Sequence, residues 1–265
     1  MCIGPDKRPS RNLACAQLLT LFRLTPMLLV LAFIMAKTHY PVDATLVMQE
    51  LSRVDTHLGR LILKVGSFPT KRQKPQPPFE SLLRAIVYQQ LAGAAAATIF
   101  GRVKALGADG KFPTPEQILR ATKPKLRRAG LSRQKIAAVK DLAKKTIDGT
   151  VPSLAAIRRM SEHEIIERLT QVHGIGEWSV HMFLMFQLGR PDVLPLKDYG
   201  IQKGFQHIYG LADTPKPKVI LEHAERWRPY RSIACWYLWR AVEQRNDERK
   251  TQKIATKKKK KSVKD

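Results

Sequence analysis

"VHGIGEWSV", residues 172–180, sets two glycines around one isoleucine, between a polar segment that ends at Val172 and a segment of helical periodicity. Glycine takes positive φ without steric cost and lets another backbone come close. Gly174, Ile175 and Gly176 therefore predict a tight turn between two helices, with Ile175 dropped between them as a pin. Upstream, "SEHE" at 161–164 is a capping box and starts a helix over 162–171. Downstream the second helix covers about 177–188 and presents free N–H groups at its start, which suit a phosphate. An αα-hairpin without any ligand also favours glycine, so the G-x-G spacing alone leaves both readings open.

The periodicity around this unit is helical almost throughout, with no alternating strand and no internal repeat. Residues 43–66 predict one helix with Leu46, Leu51, Leu58, Leu61 and Ile62 on one face. "KRQKPQPP", 71–78, is a basic, Pro-rich linker. From Phe79 two helices follow, broken near Ala92 and Gly93. "TPEQ", 114–117, is a second capping box, with Pro at the first helical position. "SRQKIAAVKDLAKKTIDG", 132–149, is an amphipathic helix with a Ser cap and a Gly exit. Further helices are expected near 199–208 and 230–244. The fold class expected is all-α.

Charge narrows the partner. The chain has 265 residues and a formal net charge of +25. Residues 250–265 hold eight Lys against Asp265, but most of the excess lies in the body between the two ends. A basic folded body points to an anionic partner, nucleic acid first, against the plainer reading of a solvated basic surface. "KKKKK", 257–261, predicts a disordered Lys-rich tail over 250–265. "LTPMLLVLAFIMA", 24–36, is too short for a typical transmembrane span. Residues 1–34 are expected to be a targeting segment or the product of a start codon set too early, with Met35 as the true start. Cys2, Cys15 and Cys235 have no metal or disulfide spacing, and no H-E-x-x-H occurs.

The segment "LTQVHGIGEWSVHMFLMFQLGRPDVLPLKDYGIQKGF", 169–205, resembles the helix–hairpin–helix and Gly/Pro…Asp region of the HhH-GPD DNA glycosylase superfamily, and within it the alkylated-base glycosylases of the AlkA type. The likeness continues in "FESLLRAIVYQQLAGAAAATIFGRV", "GLSRQKIAAVKDLA" and "AERWRPYRSIACWYLWR", and covers about 45–245. It implies a two-lobed helical glycosylase core within 35–249, with DNA in a groove between the lobes.

The resemblance also implies roles. Asp198 in "PLKDYG" is the carboxylate that stabilises an oxocarbenium-like sugar as the base leaves; as a plain helix cap it would suit the same position. Trp239 and Tyr199 are expected to wall a pocket for a flipped alkylated purine, whose positive charge aromatic faces attract. Met182 stands where the AlkA type has a further tyrosine. Gln90, with Leu91 next, is expected to fill the gap left in the base stack. Relatives usually carry a small residue and a Ser around this segment; Tyr88 and Ala92 stand here. Arg133, Lys135 and Lys203, with Gly174, Ile175 and Gly176 of the hairpin, are expected to hold the DNA backbone.

Relatives that also cut the strand place a Lys two residues after the second hairpin glycine; here that residue is Trp178, which implies no lyase step. The four-cysteine iron–sulfur cluster of another branch has no ligands here. No organic cofactor is implied. A monovalent cation on the carbonyls of Thr170, Val172 and Ile175 is. The expected partner is double-stranded DNA with alkylated bases, bound by a monomer, in a bacterial cytoplasm or a eukaryotic nucleus. Three rivals remain: a non-enzymatic helix–hairpin–helix DNA-binding module, a related glycosylase for deaminated or oxidised bases, and a membrane-associated basic protein that uses the apolar N-terminus.

Overall fold

Asp55 breaks the first apolar run. The computed structural model describes residues 40, 42–69 and 75–262, and in place of one helix over 43–66 it has α1 (Ala44–Val54) and α2 (Thr56–Val65). Asp55 is extended, and its carboxylate accepts the Leu58 amide at 3.0 Å, capping α2. Within α1 the core face is Val47 and Leu51, one turn apart, so Leu46 falls off it and is 51 % exposed, while Leu51, Leu58, Leu61 and Ile62 are buried. The same carboxylate receives the Trp227 indole at 2.9 Å, His223 Nε2 at 2.8 Å and the Tyr209 hydroxyl. Burial alone would raise its pKa; the ring of donors outweighs burial and holds it well below the usual carboxylate range.

The remaining helices follow from caps and breakers. α3 (Pro78–Tyr88) and α4 (Gly93–Lys104) are separated where the sequence predicts. α5 (Pro115–Arg120) has the Thr114 capping box, and α6 (Lys123–Arg128) starts on a Thr122 cap. α7 (Arg133–Ile147) starts on Ser132 and leaves through Gly149, whose φ is +82°. A single turn, α8 (Leu154–Ile157), precedes α9 (Glu162–Leu169) and α10 (Glu177–Phe186). Then come α11 (Tyr199–Ile208), α12 (Pro217–Ala224) and α13 (Arg231–Ser262). Among the described residues there is no strand.

The helices form two lobes. In one lobe α3, α5 and α6 pack on α7, α4 and α10 on α3, and α9 on α10; in the other α2 and α11 pack on α13, α1 on α2 and α12 on α11. Polar links join the lobes between α10 and α13: Ser232 Oγ donates to the Arg190 carbonyl at 2.7 Å, and Arg231 Nε pairs with Asp192 at 2.7 Å. The backbone of α13 stays helical to Ser262, which departs from the structureless tail expected over 250–265. A helix already nucleated needs only propagation, and Lys and Ala propagate well. Residues 1–34, and 71–74 of the 71–78 linker, lie outside the described residues. Among those described, no helix is long and apolar enough to cross a membrane.

Candidate active site and nucleic-acid interface

Asp198 sits where the loop after α10 turns into α11. Its amide donates to the Pro195 carbonyl at 2.9 Å, closing the loop, and its side chain caps α11 by accepting the Ile201 amide at 2.8 Å on Oδ1. Oδ1 also accepts the Trp239 indole N–H at 2.9 Å, and Oδ2 accepts the Trp178 indole N–H at 2.6 Å. The carboxylate is 1 % exposed. Both oxygens are thus fixed by neutral donors, and no lysine or arginine supplies these bonds.

Two glycines one turn apart explain how Trp239 reaches it. A Cβ on Gly204 would lie 2.3 Å from the Leu238 carbonyl oxygen, and one on Gly200 would lie 2.7 Å from Trp239 Cδ1. Bare backbone on this face of α11 lets α13 approach until the indole meets the carboxylate. Phe186 of α10 closes the other side, its ring centred 5.8 Å from that of Trp239.

The hairpin turns at the other end of α10. Gly174 takes φ +81°, whereas Gly176 stays at φ −98° as the N-cap of α10. Ile175 is buried between the helices as predicted. Gly176 gives α10 no side-chain cap, so the first amides of that helix have no cap bond from a side chain.

A buried carboxylate at a helix start, a glycine hairpin and two indoles gathered on that carboxylate thus form one arrangement in this chain. A family model described as HhH-GPD superfamily base excision DNA repair protein matches residues 83–229. DNA-3-methyladenine glycosylase 1 of Schizosaccharomyces pombe is 40 % identical over 191 residues, 72 % of this chain and 84 % of that protein. The chain belongs to the HhH-GPD superfamily of base excision DNA repair proteins. The solved structure of the S. pombe 3-methyladenine DNA glycosylase in complex with abasic DNA matches with a TM-score of 0.66 at 40 % identity, over 73 % of this chain and 94 % of that one. A DNA-3-methyladenine glycosidase from Bacillus halodurans matches with a TM-score of 0.67 at 35 % identity, over 75 % of this chain and 91 % of that one.

Within this HhH-GPD fold the other residues of the site fall into three groups. The first surrounds the hairpin. Gln90 is exposed with φ +57°, a conformation that costs a non-glycine residue about 1–3 kcal/mol and marks the turn after α3 as held in place. Gln89 Nε2 donates to the Gly174 carbonyl at 2.9 Å, so this turn and the hairpin are one unit. Leu91 is half-buried beside it. The large Tyr88 fits because its ring is buried against Phe100 at 5.9 Å.

The second group holds the remaining basic and aromatic residues, several of which are turned inward. Lys135 is expected at the DNA backbone, but its ammonium donates to the Val87 and Gln89 carbonyls at 2.7 and 2.8 Å, closing the end of α3. Burial lowers its pKa. Lys203 donates to Gln206 Oε1 at 3.0 Å and to the Thr214 hydroxyl, and lies 5.3 Å from the centre of the Tyr199 ring. Trp239 is expected as a pocket wall, yet it is 0 % exposed and contacts the carboxylate instead; Met182 is likewise buried. Tyr199, at 40 %, and Arg133 are exposed.

The third group is what sequence reasoning missed. In sequence Trp178 stands out only as the place where a lysine is absent, but it is the donor to Asp198 Oδ2. An aromatic N–H donor on the first turn after the hairpin, upstream of the Asp, was the available signal. Asp141 of α7 was also missed. It accepts the His173 amide at 2.7 Å and pairs with Lys145 at 2.7 Å, while Lys145 donates to the Gln171 carbonyl. Partial burial raises the Asp141 pKa, and the amide and ammonium more than offset this and lower it. These contacts hold the hairpin carbonyls in place. That of Val172 accepts the Ile175 amide at 3.0 Å and keeps a second lone pair, which fits the cation ligation expected of Thr170, Val172 and Ile175.

Proposed function

We propose that this chain is a monofunctional, monomeric DNA glycosylase that removes alkylated purines, such as 3-methyladenine and 7-methylguanine, from duplex DNA. The observation that carries the reading is Asp198, a carboxylate at the start of α11 with Oδ1 fixed by Trp239 at 2.9 Å and Oδ2 by Trp178 at 2.6 Å. A DNA-binding module has no use for an oriented, desolvated carboxylate. Hydrolysis of an N-glycosidic bond does, because positive charge grows on the sugar as the base departs. The S. pombe and B. halodurans relatives are named for 3-methyladenine, which supports the same lesion class.

The target nucleotide leaves the stack, and Gln90, aided by Leu91, fills the gap. The amides after Gly176 receive a DNA phosphate at the start of α10. When bound, a monovalent cation on the carbonyls of Thr170, Val172 and Ile175 adds positive charge beside that phosphate. The cationic base is drawn to the aromatic faces of Trp178 and Tyr199, each such contact worth about 0.5–2 kcal/mol. Asp198 then stabilises the sugar cation and orients the attacking water. Trp178 offers no amine for a Schiff base, and Lys197, the nearest lysine in sequence, is paired with Glu177 at 3.0 Å.

The test is base release from methylated duplex DNA by the wild-type chain and by Asp198→Asn. The expected result is release of methylated purine that falls by three orders of magnitude or more (about 4 kcal/mol) in the variant, while binding to an abasic-site duplex survives. Borohydride is expected to trap no covalent adduct. Wild-type chain that binds but releases nothing would favour the pure binding module.

A further inference from the structure

A carboxylate that is 1 % exposed cannot touch a deoxyribose. One of the groups covering Asp198 must move before the oxygen reaches the sugar, and the two oxygens differ in how firmly they are covered. Oδ1 is bound into the fold. It caps α11 through the Ile201 amide and accepts from Trp239, a ring that is itself 0 % exposed, backed by Phe186 and pressed against the bare backbone of Gly200. Moving Trp239 would mean separating α11 from α13.

Oδ2 is covered by Trp178 through a 2.6 Å bond. Trp178 is half-buried and is the second residue of α10, next to the hairpin and on the side of the helix start with no side-chain cap. Uncovering Oδ2 therefore calls for moving one half-buried side chain at a helix start, not a fully buried core ring.

We propose that Trp178 is a gate on the reactive carboxylate: it holds Oδ2 in the free enzyme and swings off when the extrahelical nucleotide enters, the sugar replacing the indole N–H as the partner of Oδ2. The proposal rests on the reading of Asp198 as the carboxylate that faces the sugar. The gate keeps an oriented charge paired and dry until a nucleotide displaces the indole. The fraction of open enzyme then scales the apparent affinity for the flipped state, which adds a threshold to lesion entry.

The experiment uses the full chain with 15N-labelled indoles. The protein has four tryptophans, and Trp178→Phe and Trp239→Phe assign the two of interest. The probe is a duplex carrying a pyrrolidine abasic analogue, whose ring nitrogen has the positive charge of the sugar cation. On saturation the Trp178 indole proton is expected to move upfield and exchange faster with water, while that of Trp239 keeps its shift. In parallel, Trp178→Phe keeps an aromatic ring and loses the N–H. With Oδ2 uncovered from the start, its KM is expected to fall several-fold. A Trp178 proton that stays bonded on probe binding, or a Trp178→Phe rate at saturation down about tenfold with KM unchanged, would overturn the gate and make Trp178 a fixed orienting group. The two readings fail separately. Wild-type excision by Asp198→Asn removes the carboxylate's role whatever Trp178 does, whereas a static Trp178 beside an inactive Asp198→Asn removes only the gate.

Discussion

At the residue scale the site depends on one missing side chain. Gly200 has ordinary helical backbone, so its value lies in the space it leaves: a Cβ there would sit 2.7 Å from Trp239 Cδ1, 2.9 Å from its Nε1 and 3.0 Å from Asp198 Oδ1. Gly200→Ala must push Trp239 or the carboxylate away. Overpacking of this kind costs about 1–3 kcal/mol, and a shift of about 1 Å in a catalytic group costs about a hundredfold in rate. The expected variant folds with a melting point lower by a few degrees and excises methylated purine about a hundredfold more slowly; wild-type kinetics would show that the contact has no role. Asp198 was singled out by the family resemblance, since an Asp before a helix reads locally as a plain cap. Trp178 was not, because nothing nearby in sequence says that its N–H meets a carboxylate beyond the far end of α10. The contact of Lys135 with the end of α3 was hidden for a related reason: those carbonyls are remote from it in sequence.

At the element scale the hairpin is rigid because α7 braces it. Asp141 takes the His173 amide, Lys145 takes the Gln171 carbonyl, and Gly174 lies against Ala138, where an added Cβ would come within 3.3 Å. Caps made most of these helices readable, since Ser132, Thr114 and Ser161 announce α7, α5 and α9 by local chemistry alone. The break at Asp55 was unreadable because apolar periodicity runs across it; what ends α1 is a buried carboxylate serving partners from the other end of the chain. Asp141 gives this scale its prediction. Its folded pKa is lowered, so its contribution is fully present above the unfolded value of about 3.9 and is lost as pH falls through the folded one. Asp141→Ala is expected to lower the melting point at neutral pH and to weaken abasic-duplex binding several-fold. The difference in melting point from wild type should shrink as pH drops below about 4. A gap that stays constant with pH would mean that the ionised carboxylate is not what holds the hairpin.

At the scale of the whole molecule, charge separates holding DNA from cutting it. The carboxylate and its indoles lie in a neutral, desolvated setting, whereas the net charge of +25 is spread along the chain and reaches its highest density in residues 250–265. Phosphate contacts release counterions, so affinity falls with salt at a log–log slope of about −0.9 per contact on duplex DNA. Such contacts carry no sequence information, which suits a repair protein that must scan every sequence. If the terminal lysines add contacts of this kind, they act on encounter and retention and leave the chemical step alone. Deleting residues 250–265 is therefore expected to make the salt slope for undamaged duplex shallower by about one unit per lost contact. Affinity should drop most at low salt, and the two proteins should converge as salt rises. The single-turnover excision rate at saturating enzyme should not change, because the Asp198 cluster is intact. An unchanged slope would place the DNA contacts wholly on the folded body, on groups such as Arg133. A slower single-turnover rate would mean instead that the end of α13 bears on the active site through Trp239, which lies on the same helix.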